Sequence, residues 1–391
     1  MSRSSTTISE RRIFVVAGEA SGDRLAAHVL RDANVAAFGM GGDALRGAGA
    51  DIRVDLRALS SMGVLDVVPN LLKLARAVSV LGSSVQSRRP DRALLVDYTE
   101  LNARVGRWLR QKGVPVVWLV APQVWAWRPH RITALARSMD HLGALFSFEI
   151  ERWRSAGVDA RWVGHPAVED AIAARCASPD ASLFHRLSLS LSGGVVALAL
   201  LPGSRRSEVL RHLPIMLESA ASVSRHDRIH PVVLLAHSLE PTTRQWAVEQ
   251  SERMGASVVD VHGQQGLAGP LRLLRDLGAR AALCTSGTAT LECALAGVSP
   301  VILYRTDPLT ASIGRALLNV DAIGLPNVVL GRRVFTELLQ DHVAVHEIEK
   351  ALGNAFKRSD SRDSIASELQ HCLTPNDGMT FAERVQAMLL S

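Results

Sequence analysis

Short, continuous apolar runs alternate with amphipathic stretches along the whole chain. Ile13–Ala17, Ala93–Val96, Val114–Val120 and Leu142–Phe146 read as buried strands in the first half. Val195–Leu201, Pro231–Ala236, Ala281–Cys284 and Pro300–Tyr304 read the same way in the second. These runs lack polar alternation, so both faces of each strand must be covered. Separated by segments of helical period, they predict parallel sheets packed between helices. A Ser/Gly-rich segment, Ala177–Gly194, interrupts the pattern midway. The expected architecture is α/β: two Rossmann-like, doubly wound domains over residues 11–185 and 192–356, facing across a ligand cleft. Residues 357–391 are expected to be helical, with the amphipathic stretch Met379–Leu390 able to pack back on the first domain. The stretch Val67–Leu81 reads first as a core-facing helix and second as an acyl-chain or membrane-facing one.

Composition narrows the classes. A chain of 391 residues, 47% hydrophobic and 21% charged, excludes wholesale disorder and can bury a core without staples. Cys176, Cys284, Cys293 and Cys372 show no CxxC pair and no zinc spacing, so they read as buried small hydrophobes in a reducing compartment. The net charge of +6 rests almost wholly on arginine, which favours phosphates or acidic lipid surfaces. Nucleic acid is not expected, because no Lys/Arg block of that type occurs. No apolar run approaches the ~20 residues of a membrane span, and the first ten residues lack an apolar signal core. A cytoplasmic protein touching a membrane from outside is the expected location.

Chemistry concentrates where strands end. After Ile13–Ala17, Gly18-Glu19-Ala20-Ser21-Gly22-Asp23 can bring N–H groups to a ligand at a helix start, or can be a plain turn capped by Ser21 or Asp23. After Ala93–Val96, Asp97 and Glu100 can supply a general base, or can simply cap a helix. Pro122-Gln123-Val124-Trp125-Ala126-Trp127-Arg128 sets two tryptophans beside Arg128, His130 and Arg131: a wall for sugar or acyl chain next to a phosphate, or core tryptophan with solvated arginine. In the second half, Pro202-Gly203-Ser204-Arg205 with Glu208 offers a nest of N–H donors and a guanidinium for a diphosphate, without a P-loop's Gly-Lys-Ser/Thr. Ser286-Gly287-Thr288 suits a second phosphate and Glu292 a ribose diol. Together they indicate a nucleoside diphosphate. Asn327 is a candidate to read a base edge, with Glu337 and Gln340 on one helical face.

With Val163-Gly-His-Pro166, Tyr304-Arg305 and Glu337-Leu-Leu-Gln340, these motifs occur in an order that resembles the bacterial lipid-A-disaccharide synthases, from about residue 13 to 340. The resemblance implies a glycosyltransferase of the B-type fold. Such an enzyme transfers 2,3-diacylglucosamine from UDP-2,3-diacylglucosamine to 2,3-diacylglucosamine 1-phosphate (lipid X), forming a β-1,6 disaccharide with inversion. No metal or other cofactor is implied. The implied setting is the cytoplasmic face of the inner membrane, as a peripheral protein, with a homodimer among the implied states. By the same resemblance Asp97 is the candidate base and Arg205 the diphosphate ligand. Gly203, Ser204, Glu208, Ser286, Gly287, Thr288, Glu292 and Asn327 fall on the nucleotide side. Glu19, Ser21, Gly22, Asp23, Gln123, Trp125 and Arg128 fall on the acceptor side. The family's Asp-x-Pro-Asp-Phe-Asn is Asp97-Tyr-Thr99-Glu100-Leu-Asn102 here, and its Gly-Gly-Pro is Gly41-Gly42-Asp43. The alternatives are another B-type UDP-N-acetylglucosamine transferase or epimerase, and a catalytically weak UDP-lipid-binding paralogue.

Overall fold

The structure is a computed structural model that describes residues 11–57, 67–126, 128–178, 194–225, 228–236, 238–260, 269–306, 322–358 and 361–391, with only the backbone of 67–75, 260 and 269. Most of the Ala177–Gly194 segment, Trp127 and the side chains of residues 67–75 lie outside this description. The chain divides into two compact units, Met1–Gly164 with Pro375–Ser391, and His165–Thr374.

The first unit holds a seven-stranded parallel sheet: β1 (Arg11–Ala17), β2 (Val35–Gly41), β3 (Asp51–Asp55), β4 (Arg92–Val96), β5 (Val116–Leu119), β6 (His141–Ala144) and β7 (Asp159–Trp162). The order is β3-β2-β1-β4-β5-β6-β7. The apolar runs sit at its centre, where Ile13–Ala17 and Ala93–Val96 are wholly buried and pair in register Ile13 to Arg92 through Ala17 to Val96. The strands not anticipated from the sequence, β2, β3 and β7, lie toward the edges and carry charged or small residues such as Asp51, Arg53, Asp159 and Arg161. In the helix Val67–Arg88, Ala77, Leu81 and Val85 join the core with Phe14 and Phe38, while Val78 and Val80 are exposed.

The second unit holds a six-stranded parallel sheet: β8 (Val196–Leu201), β9 (Ile229–Leu235), β10 (Ser257–Asp260), β11 (Ala281–Thr285), β12 (Ser299–Tyr304) and β13 (Glu337–Leu339). Its order is β10-β9-β8-β11-β12-β13. In both sheets the winding reverses beside the first strand, between β1 and β4 and between β8 and β11. Ligands of open α/β sheets bind outside the strand carboxyl ends at such a reversal. Two corrections follow. Cys284 and Cys293 are buried, but Cys176 is exposed at the last residue of its helix and Cys372 is partly exposed. Glu337 lies on an edge strand rather than a helical face, because Ile302 on β12 pairs with it.

Helix Phe381–Leu390 belongs to the first unit. Phe381 stacks on His28 at 5.9 Å, and Gln386 Nε2 donates to the Val29 carbonyl at 2.7 Å. Arg384, 8% exposed, fixes it: Nε and Nη2 grip Asp377 at 2.9 and 2.6 Å, Nη1 donates to the Val163 carbonyl at 3.1 Å, and Nη2 also reaches the Pro375 carbonyl. The guanidinium holds the Asp377 carboxyl down at about 2. Removing it strands buried carbonyls, each costing ~1–3 kcal/mol. Arg384→Ala is expected to destabilise by about 3 kcal/mol. It should also expose residues 375–391 to limited proteolysis ahead of the rest of the chain.

Candidate active site

At the first unit's reversal point, the chain leaves β4 through two consecutive non-glycine residues of left-handed backbone, Asp97 (φ 50°) and Tyr98 (φ 43°). Val120 after β5 (φ 71°) and Arg128 (φ 54°) share that conformation. Left-handed backbone is uncommon for non-glycine residues and a real outlier for a β-branched one. Such strain gathers at functional sites when the surroundings hold it. Here Asn102, fully buried, donates Nδ2 to the carbonyls of Val96 (3.2 Å) and Asp97 (2.7 Å). The Asp97 amide donates to the Leu119 carbonyl at 3.0 Å. The Tyr98 ring lies over Gly18, where an added Cβ would stand 2.3 Å from the ring. Gly18 is therefore fixed by the neighbouring loop. Burial first, and then the Glu19 charge, pushes the Tyr98 hydroxyl above its ordinary value.

The four acceptor-side candidates of the first loop separate in role. Glu19 is the N-cap position of the helix Ala20–Leu30, with Ser21 half-buried in its first turn. Gly22 packs on Val96, where a Cβ would meet Cγ1 at 3.4 Å. Asp23, 4% exposed, accepts from the amides of Gly42 (2.6 Å), Ala44 (3.0 Å) and Leu45 (3.4 Å). It thus caps the helix Asp43–Gly47 and ties the two glycine turns together. Desolvation raises its pKa despite those three donors. Glu100 is exposed and accepts from Arg131 Nη1 at 2.6 Å, which holds its carboxyl below the ordinary range.

Beyond β5, Gln123 and Arg128 are exposed and Trp125 is half-buried. Trp125 Nε1 donates to Glu149 Oε1 at 3.1 Å, and its ring meets Phe148 edge-on at 5.3 Å. Phe148 stacks on Phe146 at 5.4 Å and is 44% exposed. Glu149 is 3% exposed, and burial raises its carboxyl to about 8. Sequence reading missed this acid; the signal was a carboxylate immediately after the aromatic run Phe146-Ser-Phe148.

In the second unit, Gly203 (φ 114°) turns the chain after β8. Glu208 folds back over it, so that a Cβ on Gly203 would lie 2.5 Å from Oε2. That oxygen accepts from the amides of Ser204 (3.0 Å) and Arg205 (3.2 Å). Arg205 is 64% exposed, 3.8 Å from Glu208. His212, buried one turn on, accepts at Nε2 from the Arg305 amide (3.0 Å), so Nδ1 carries the proton toward the Glu208 carbonyl (2.9 Å). Burial lowers its pKa and keeps this tautomer neutral. His212 thereby fixes the segment after β12 to the Gly203 turn, a link the sequence did not signal. After β11, Gly287 begins the helix Thr288–Leu295; Gly287 and Thr288 are exposed and no atom lies within 4 Å of a Cβ on Gly287. Ser286 donates to the Ile323 carbonyl at 3.1 Å, and Glu292 is half-buried in that helix.

The expectation that Asn327 reads a base edge is overturned. Its Nδ2 donates to the Phe335 carbonyl (2.9 Å) and Glu337 Oε1 (2.8 Å), and its Oδ1 accepts from the amides of Val334 and Phe335 (2.9 Å each). All its hydrogen-bonding capacity is spent. Glu337 completes this brace by accepting from Ile323 and Gly324, both at 3.0 Å.

The family model described as lipid-A-disaccharide synthetase matches residues 13–381. The lipid-A-disaccharide synthase of Myxococcus xanthus is 37% identical over 344 residues, 86% of each chain. That of Geobacter sulfurreducens is 35% identical over 354 residues, 89% of this chain and 88% of its own. Among solved structures, a putative UDP-N-acetylglucosamine 2-epimerase from Listeria monocytogenes superposes with TM-score 0.66 at 12% identity, covering 98% of this chain and 96% of its own. The UDP-GlcNAc 2-epimerase of Neisseria meningitidis, bound to UDP-GlcNAc, gives 0.62 at 11%, covering 97% and 99%. These likenesses establish the glycosyltransferase B-type fold.

Glu149 yields a pH test. Its folded pKa near 8 stands above the ordinary 4.5, so its stabilising contribution is full below about 4.5 and is lost as pH rises through 8. The loss is at most ~1.4 kcal/mol per pH unit. Glu149→Gln keeps an acceptor for the Trp125 indole and cannot ionise. Its Tm relative to wild type is expected to climb between pH 5 and pH 8.5; a pH-independent difference would contradict the buried neutral acid.

Proposed function

The chain belongs to the lipid-A-disaccharide synthetase family, and from that premise we propose that it joins a UDP-activated 2,3-diacylglucosamine to 2,3-diacylglucosamine 1-phosphate. The products are the β-1,6-linked disaccharide 1-phosphate and UDP. The observation that carries this reading is the family match from residue 13 to 381, which spans both sheet reversals and the loops that leave them.

The first unit takes the acceptor. Inversion needs direct attack of the acceptor 6-hydroxyl on the anomeric carbon, and an alcohol is a weak nucleophile, so a carboxylate takes its proton as the C–O bond forms. Asp97 serves as that base, at the strained exit of β4. Glu100 serves less well, since its ion pair with Arg131 lowers its basicity. The second unit takes the donor. The amides of Ser204 and Arg205, the Arg205 guanidinium and the exposed start of the helix Thr288–Leu295 receive the diphosphate, and Glu292 the ribose diol. Negative charge growing on the departing UDP is balanced there as the sugar bond breaks. Both lipids are acylated, so the reaction belongs at the inner-membrane surface. Among the described residues no helix is long and apolar enough to cross a membrane.

Incubation with UDP-2,3-diacylglucosamine and lipid X, followed by mass spectrometry, should yield the disaccharide 1-phosphate. Epimerisation of UDP-N-acetylglucosamine without lipid would favour the epimerase reading instead. Asp97→Asn is expected to lower kcat by ~10²–10⁴-fold while UDP inhibition stays near wild type; Glu100→Gln should cost less. The opposite ranking would transfer the base to Glu100. Arg205→Ala should weaken both turnover and UDP inhibition by about 10–200-fold, the value of a charge-assisted contact.

A further inference from the structure

Glu100 opens the helix Thr99–Gln111 three residues after Asp97, with its side chain 74% exposed. Arg131 approaches it from the short helical turn Pro129–Arg131, donating Nη1 at 2.6 Å with only 27% of its own side chain exposed. Arg104 stands one turn further along the Glu100 helix, and Arg128 precedes the Arg131 turn in left-handed backbone. Both also act electrostatically on the Glu100 carboxylate. One carboxylate thus stands in the field of three guanidinium groups drawn from two segments.

Stability does not account for this gathering. An exposed ion pair is worth ~0–1 kcal/mol, and bringing like charges together costs free energy. A dianion accounts for it. A phosphomonoester carries about −1.5 to −2 charges and three acceptor oxygens near neutral pH, and the forked guanidinium matches those oxygens in pairs. The acceptor named above carries such a group. Its phosphate sits on C1 and its reacting hydroxyl on C6, the carbon borne by C5, so the two groups flank the ring oxygen from either side. An anchor built on the Glu100 ion pair, separate from Asp97, can hold the phosphate while the neighbouring hydroxyl meets the carboxylate.

Resting on the acceptor reading given above, we infer that Arg131, with Arg104 and Arg128, is the subsite for the acceptor's phosphomonoester, and that Glu100 is an internal anion which this phosphate displaces from Arg131. Glu100 is then a specificity element. It raises the threshold for entry, so that a singly charged or neutral acceptor competes poorly for the arginines.

The test is acceptor selectivity. Wild type, Arg131→Ala, Arg131→Lys and the exposed Arg104→Ala are assayed with 2,3-diacylglucosamine 1-phosphate and with the same lipid lacking the phosphate. The measured quantity is the ratio of kcat/KM for the two acceptors, in which general damage to the fold cancels. Arg131→Ala is expected to lower the ratio tenfold or more, Arg104→Ala severalfold, and Arg131→Lys to restore part of it. Glu100→Gln should lower KM for the phosphorylated acceptor severalfold. Binding of each variant to vesicles of phosphatidylglycerol separates the acceptor's phosphate from phosphate at a lipid surface. An unmoved ratio with weakened vesicle binding would assign the cluster to the membrane surface and overturn the inference. An unmoved ratio with unchanged vesicle binding overturns it as well. A wild-type chain that transfers to neither acceptor removes the functional reading itself, and the subsite with it.

Discussion

Asn102 grips the carbonyls of Val96 and Asp97 at 3.2 and 2.7 Å, and two left-handed residues survive at the exit of β4 because of that grip. Each left-handed non-glycine residue costs of order 1–3 kcal/mol. Without the amide clamp below and the Tyr98 ring seated on Gly18, the turn would relax toward ordinary helix entry. Asp97 would then leave the strand edge. The first loop, the position of Tyr98 and the orientation of the Glu100 helix all follow from this one local constraint, which makes residue 102 as consequential as the carboxylate it steadies.

A second regularity runs through both units. At three turns a carboxylate meets converging backbone N–H groups. Asp23 holds three amides of the second glycine turn, Glu208 holds those of Ser204 and Arg205, and Glu337 holds those of Ile323 and Gly324. Tight turns leave N–H groups converging on a point, and a convergent set of donors attracts an anion. In Asp23 and Glu337 that carboxylate is structural. In Glu208 it lies at the surface, on the loop assigned to the donor.

The central strands were legible because buried parallel strands need unbroken apolar runs, and those runs end in Gly, Asp or Ser where the chain must turn; the points where the winding reverses were not, because strand order is set by packing between distant segments. The edge strands were not legible: β3 and β7 are short and salted with Asp and Arg, since one side of an edge has no partner strand to cover it. Site residues were legible by type and by position after a strand. Their division of labour was not. Nothing along the sequence separates an aspartate that binds a ligand from Asp23, which caps the helix Asp43–Gly47 some twenty positions on. The same holds for Asn327, whose four partners lie between residues 334 and 337. His212 and Glu149 escaped notice because their meaning lies in partners far away in the chain or hidden by burial.

The fold-back of Glu208 onto the Gly203 turn has a kinetic side. The two amides it occupies are not idle donors awaiting a ligand but are already neutralised by a tethered anion at 3.0 and 3.2 Å. Any diphosphate that takes them does so by exchange, and only the difference between two anion affinities remains as binding energy. The tethered carboxylate is always within reach to reclaim its place. On the donor reading proposed above, a spent nucleotide would leave with assistance, and a loop of this construction would favour turnover over retention of product.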